Sequence, residues 1–251
     1  MPLRIAFDLD GVLADMESEL VRQAGILFGD AIGGRPLAPE ALEADTTDPS
    51  SGASPDAKDV DAPLDNTPPL LKVSMTPRQQ RKLWRHVQSI ENFWETLQEH
   101  EPGAVARLAA MAGERRWEVM FLTKRPATAG DTAQVQTQRW LEARGFRLPS
   151  VFVVQGSRGR IAAALDLSIV VDDRPENCLD VVVDSKARAI LVWRQDEKQL
   201  PQGARRVGIG TVGSMAECFS ALDEIDASAA QPGVFDRVLR LLGLKEPSPT
   251  I

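Results

Sequence analysis

The stretch Leu3-Arg4-Ile5-Ala6-Phe7-Asp8-Leu9-Asp10-Gly11-Val12-Leu13 decides how the rest of the chain is read. A short apolar run ends in two carboxylates two residues apart, followed at once by glycine. Residues i and i+2 of an extended segment share a face. A strand ending here would aim Asp8 and Asp10 into one pocket, and Gly11 would let the chain turn away from them. Two acids held that close repel unless a cation or a shared proton relieves them. The arrangement points to a metal site, or an acid–base pair, built into a first strand.

Working outward, the 251 residues form one large domain or one domain with a smaller appendage. No apolar run approaches the ~20 residues needed to span a membrane, and the N-terminus lacks the basic and apolar regions of a secretory signal. Cys178 and Cys218 are the only cysteines. They are too few for a disulfide framework, and a reducing cytoplasm is the expected home. A net charge of -7 argues against broad nucleic-acid binding, although a locally basic pocket can still take a phosphate. The two histidines, His86 and His100, lie in polar helical surroundings, so neither a histidine metal site nor a Ser-His-Asp triad is supported.

Short apolar runs recur at Leu3–Phe7, Trp117–Leu122, Val151–Val154, Ser168–Val171 and Ala189–Trp193, with the length and β-branching of buried strands. Helical segments lie between them. Asp131 can cap a helix that ends at Gly145, and Ser214-Met215-Ala216-Glu217 is a capping box opening a helix through about Ile225. The alternation predicts an α/β fold with a doubly wound parallel sheet. The interval between the first two strands is too long for one crossover. Asp15 to about Phe28 reads as a helix, and Thr76-Pro77-Arg78-Gln79 is a capping box opening another that carries Leu83, Val87 and Ile90. Between them, residues 36–69 are rich in Pro, Asp and Ser and read as an irregular insert. We expect residues 1–14 and 100–228 to form the core and 15–99 a small helical cap inserted after the first strand. The alternative is a helical layer packed on the sheet. Residues 229–251 are expected to hold a terminal helix, with Val234, Phe235, Val238, Leu241 and Leu242 at helical spacing, and a tail.

Three further segments fit the opening motif. Phe121-Leu122-Thr123-Lys124-Arg125-Pro126 ends a strand in a hydroxyl followed by two cations. Gln155-Gly156-Ser157-Arg158-Gly159-Arg160 is a small-residue turn with two arginines, whose forked donors match phosphate. Ile169-Val170-Val171-Asp172-Asp173-Arg174-Pro175 ends another strand in adjacent acids. In a parallel sheet all these strand ends open on one edge, where doubly wound folds bind ligands. Converging carboxylates need a cation, and hard oxygen donors select magnesium. An aspartate can attack phosphorus, and a second carboxylate can protonate the leaving oxygen and later deprotonate water. A threonine and an arginine can hold the phosphate oxygens as charge develops.

Taken in this order, the segments resemble the four motifs of the haloacid dehalogenase superfamily, and within it the phosphohydrolases. Asp8-Leu9-Asp10-Gly11-Val12 matches the first, Thr123 the second, Arg158 the third and Asp172-Asp173 the fourth, over about residues 3–15 and 93–195. The resemblance implies a Rossmann-like core, Asp8 as nucleophile and Asp10 as general acid/base. It implies Mg2+ held by Asp8, the Asp10 carbonyl and Asp173, with Asp172 in or beside that shell. Thr123 and Arg158, flanked by Lys124 and Arg160, would hold phosphate. The third motif is usually lysine, so arginine here keeps the charge but not the geometry. The acid at Asp10 favours phosphate esters over halides, because a halide leaving group needs no proton.

A narrower likeness is to the 5′(3′)-deoxyribonucleotidase family. It is carried by Asn92-Phe93-Trp94-Glu95-Thr96-Leu97, Glu101-Pro102-Gly103-Ala104-Val105, the Thr123 segment, and Val171 to Asn177. It implies a nucleoside monophosphate substrate with Phe93 and Trp94 stacked on the base; the alternative is that both rings pack in the core. The other readings are a phosphatase for a sugar phosphate or similar small metabolite, and a catalytically weak relative that binds a phosphorylated ligand.

Overall fold

The computed structural model describes residues 2–29, 75–200 and 208–229. The insert at 36–69 and the helix expected over 233–244 lie outside the described residues. Six strands form one all-parallel sheet: β1 (Arg4–Asp8), β2 (Glu118–Thr123), β3 (Ser150–Val153), β4 (Ile169–Asp172), β5 (Arg188–Val192) and β6 (Gly210–Val212). Their order is β3-β2-β1-β4-β5-β6. The chain runs outward from β1 to β3, then crosses back to start β4 on the other side of β1. That reversal between β1 and β4 is the switch point at which such sheets form a ligand crevice.

Strand alternation separates two apolar layers. Ile5, Phe7, Phe121, Ile169, Val171, Ile190 and Val192 face one cluster. Ala6, Met120, Leu122, Val170, Ala189 and Leu191 face the other. Over the first face lie α3 (Ala104–Arg115), α4 (Ala133–Ala143) and α7 (Met215–Ala229), through Leu108, Trp140 and Phe219. Over the second lie α5 (Arg158–Ala164) and α6 (Pro175–Asp184), through Ala162, Cys178 and Val181. The predicted doubly wound α/β fold is therefore present.

Ahead of α3, two further described helices lie between β1 and β2: α1 (Met16–Phe28) and α2 (Pro77–Ser89). Asp15 caps the first through the Ser18 amide, and Thr76 with Gln79 forms the expected capping box on the second, a device that contributes about 1 kcal/mol. His86 Nε2 and Gln23 Oε1 stand 2.9 Å apart and bond the two helices. Their buried side chains Leu20, Ala24, Leu83 and Val87 belong to the same apolar cluster as Leu13, Phe93 and the sheet.

Some local expectations change. Thr132, not Asp131, caps α4; the Asp131 carboxylate instead accepts from Arg139 at 2.6 Å. Gly145, with φ +94°, does follow the end of that helix as foreseen. The α7 helix runs on to Ala229 rather than stopping at Ile225, and Glu217 accepts from the Gly213 amide while Ser214 accepts from the Glu217 amide. The sixth strand was not foreseen: three residues beginning with glycine carry too little pattern.

Gly159 fixes how closely α5 and α6 approach. A Cβ there would lie 2.1 Å from the Asp180 carbonyl oxygen and 2.6 Å from the Asp184 Cβ. Backbone cannot yield cheaply, so Gly159→Ala is expected to destabilise the fold by about 1–3 kcal/mol. An unchanged thermal unfolding midpoint would contradict this packing.

Candidate active site

Asp8 closes β1, Thr123 closes β2 and Asp172 closes β4, on three neighbouring strands. Alternation gives Asp8 and Asp172 the parity of Ala6 and Val170, on the α5–α6 side, and gives Thr123 the parity of Phe121 on the other. The crevice thus collects side chains from both faces of the sheet.

On the α5–α6 side the centre is Arg158, only 2 % exposed. Its Nη2 donates to Asp8 Oδ1 at 2.5 Å, and its Nε lies 3.6 Å from Asp172 Oδ2. Ser157 caps α5 by accepting from the Arg160 amide, and the Gly159 contact presses that helix onto α6. Those two features set where Arg158 enters. Arg158 Nε and Nη1 are buried without a hydrogen-bond partner. An unmet buried donor costs ~1–3 kcal/mol, which a phosphate oxygen would offset. Arg160 is exposed, so Arg158 is the arginine at the site and Arg160 is not gathered with it.

Asp172 is fully buried. Both its oxygens accept from Asn177 Nδ2 at 3.0 Å, and Oδ1 also accepts from the Arg174 amide at 2.9 Å. It is thereby held beside Arg158. Asp173 crowds the other side. A Cβ on Gly11 would lie 2.0 Å from Asp173 Oδ2, and Gly11 sits at φ +90°. Glycine is needed here for the turn and for the approach of that carboxylate, not only to lead the chain away.

Asp8, Asp172 and Asp173 outnumber the cation beside them. Burial first, then the Asp172 charge, pushes the Asp8 carboxyl well above the usual range against the pull of Arg158. Burial also raises Asp172, against Arg158 and the bonds from Asn177 and Arg174. Burial and the Asp172 charge push Asp173 up to about 8. Asp8, Asp173 and the Asp10 carbonyl are hard oxygen donors suited to a divalent cation. Among the described residues, no three carboxylate, histidine or cysteine side chains form a ready-made metal cluster. The crevice gathers the carboxylates of Asp8, Asp172 and Asp173.

On the opposite side Asp10 meets Arg125, a residue not singled out from sequence. Arg125 Nε donates to Asp10 Oδ2 at 2.9 Å and Oδ1 at 3.1 Å, and Nη2 donates to Oδ1 at 2.7 Å. Thr123 Oγ1 donates to Asp10 Oδ2 at 3.3 Å and accepts from the Arg125 amide at 3.2 Å. The available signal was parity: Thr123 and Arg125 are two apart at a strand's end, whereas Lys124, half-buried, has the opposite parity.

The expectation that Phe93 and Trp94 stack on a base is corrected. Both are fully buried, and they meet edge to face at 5.0 Å. Trp94 Nε1 donates to the Pro126 carbonyl, and its amide donates to Gln136 Oε1. Their alternative reading, core packing, is the observed one. A second unforeseen residue is Arg194, just past β5. It donates to the carbonyl oxygens of Gly11 and Val12, and at 2.9 Å to Glu101 Oε1, which also accepts from the Met215 amide at the start of α7. It ties the loop carrying Asp10 and Gly11 to two other elements. No local motif announces it.

No family model and no curated protein matches the chain. Among solved structures, a provisionally assigned β-phosphoglucomutase from Thermotoga maritima is similar at 16% identity and TM-score 0.50, over 89% of this chain and 99% of that one. A hydrolase from Pseudomonas syringae reaches 19% and 0.47, over 89% and 99%. A HAD family hydrolase from Deinococcus radiodurans, solved with phosphate and sodium, reaches 13% and 0.48, over 93% and 97%. The first of these likenesses shows a shared fold.

The raised carboxylates make a signed prediction. The Asp173 proton leaves near 3.8 in an ordinary setting and near 8 in the fold. The folded state therefore binds more protons across that interval, and its stability falls as pH rises. In chelator, the unfolding midpoint is expected to drop between about pH 5 and pH 8. A midpoint that rises over that range would contradict the carboxylate crowding.

Proposed function

We propose that the protein is a magnesium-dependent phosphomonoesterase of the haloacid dehalogenase kind, acting on a small phosphate ester through an aspartyl-phosphate. One observation carries this reading. Asp8 with Asp10, Thr123, Arg158 and Asp173, from four separate segments of the chain, meet at the switch point of one parallel sheet.

In this reading an Asp8 carboxylate oxygen attacks phosphorus, forming the Asp8–phosphorus bond as the bond to the ester oxygen breaks. Asp10 gives its proton to that leaving oxygen. Water, losing a proton to Asp10, then attacks the same phosphorus; the Asp8–phosphorus bond breaks and inorganic phosphate leaves with Asp8 restored. Arg158, with a donor already unpaired, and Thr123 hold the phosphate oxygens. Asp8, Asp173 and the Asp10 carbonyl would hold Mg2+, which when bound offsets the excess carboxylate charge and the charge of the phosphate. Lys124 adds positive charge beside Thr123. The phosphate-binding role expected for Arg160 is not carried forward, since that side chain is exposed away from this group.

The substrate reading is a nucleoside monophosphate, supported by the similarity of residues 92–97, 101–105, 121–126 and 171–177 to deoxyribonucleotidases. A second reading, a sugar phosphate, is favoured by the burial of Phe93 and Trp94, which removes the expected aromatic platform for a base. The catalytic residues are the same in both. A cytoplasmic setting is proposed from the cysteine content; among the described residues no helix is long and apolar enough to cross a membrane.

A phosphate-release panel of nucleoside monophosphates and sugar phosphates, with Mg2+ or with chelator, tests the proposal. Release is expected only with Mg2+, and Asp8→Asn is expected to abolish it, a loss of about 10⁴-fold or more, while leaving the unfolding midpoint near or above that of the native chain. Full activity of that variant would overturn the nucleophile assignment, and indifference to nucleotides would leave the sugar-phosphate reading. Phosphate release undiminished by chelator would overturn the metal assignment.

A further inference from the structure

We propose that Arg125 is a positioning residue that aims the Asp10 carboxyl for both proton transfers. The inference rests on the phosphatase reading, because it assigns Arg125 a role through Asp10.

The geometry supports it in three ways. First, Arg125 meets both oxygens of Asp10 through Nε and Nη2, at 2.7 to 3.1 Å. Such a fork fixes the plane of a carboxyl as well as its position, which a lysine cannot do. Second, the guanidinium is itself held. Its Nη1 donates to Thr137 Oγ1 at 2.9 Å, and that hydroxyl donates to the Ala133 carbonyl at 2.6 Å. It lies 4.9 Å from the Trp94 ring and 6.0 Å from the Trp140 ring. Third, both indoles are pinned by their own N–H groups, Trp94 to the Pro126 carbonyl and Trp140 to the Leu97 carbonyl. Arg125 is 2 % exposed, so water does not compete for these bonds.

Asp10 lies on the loop after β1, whose main chain is held by the Leu13 and Ala14 amides donating to the Leu9 carbonyl, the Gly11 amide donating to the Ala14 carbonyl, and Arg194 donating to the Gly11 and Val12 carbonyls. Nothing in that loop fixes the torsion of the carboxyl group. Arg125, arriving from β2, does. The same contact gives Trp94 a use that base stacking had been expected to supply: it forms one wall of the slot that orients Arg125.

A structural counter-ion would make a different set of predictions from a positioning residue. If Arg125 acts through Asp10, its loss matters most where the leaving oxygen needs a proton. The test compares Arg125→Ala and Arg125→Lys with wild type on p-nitrophenyl phosphate, whose leaving group needs little help, and on the alkyl phosphate that wild type hydrolyses fastest. Each variant is first checked for a cooperative unfolding transition; Arg125→Lys keeps the charge and serves if the alanine variant does not fold. Both are expected to lose about 10²-fold in kcat on the alkyl phosphate, with KM changed by less than about threefold. The loss on p-nitrophenyl phosphate is expected to be about tenfold smaller. In an Asp10→Asn background, Arg125→Lys is expected to cost almost nothing further, since the two residues act as a unit. Equal losses on the two esters, or additive losses in the double variant, would overturn the positioning role. Wild-type protein that releases phosphate from neither compound would overturn the phosphatase reading, and this inference with it.

Discussion

Asp8 and Asp172, at the ends of two adjacent central strands, share one buried guanidinium, and Asp173 stands against the backbone at Gly11. Carboxylates gathered in this way raise one another's proton affinity and resist burial. Much of the surrounding architecture compensates for them. Asn177 and the Arg174 amide satisfy Asp172; Gly159 lets α5 press against α6 and bring Arg158 under the strands; Gly11 leaves room for Asp173. A fold seeking stability alone would place leucines there. The arrangement makes sense as a receptacle for a cation and an anionic group, each answering charge the protein leaves unbalanced.

The site has two halves with different electrostatics. Around Arg158 negative charge is in excess. Around Arg125 it is matched, one guanidinium to one carboxylate, in a setting of indoles and threonines. The proposed nucleophile, Asp8, belongs to the first half and the proposed proton carrier, Asp10, to the second. They are two residues apart in sequence, yet they take partners from opposite faces of the sheet. The loop that follows them is held by Arg194, which reaches back from the end of β5 to the Gly11 and Val12 carbonyls.

Strands β1 to β5 were readable because each is a compact apolar run, and their parallel order followed from alternation with helices. The charged groups at the strand ends were readable because Asp8, Thr123, Arg158 and Asp172 fall where a parallel sheet must open. Arg125 stands beside Lys124 in the Thr123 segment, and its shared parity with Thr123 is the signal that separates the two cations. Arg194 carries no local signal at all; its role depends on β5 ending beside β1's exit loop. Phe93 and Trp94 misled because an aromatic pair near a catalytic segment looks alike whether it faces a ligand or the core. Only burial separates those cases. Helices α1 and α2 were announced by their own capping residues, Asp15 and Thr76.

The central claim is that Asp8 forms a covalent bond to phosphorus. The measurement that bears on it most directly is rapid acid quenching of the protein with a turned-over substrate, proteolysis, and mass spectrometry of the peptide containing residues 5–22. The account predicts a phosphate adduct on Asp8 that grows when Asp10 is replaced by asparagine, because the second step then lacks its base. Sustained turnover with no adduct on that peptide, or with an adduct on a different residue, would contradict it.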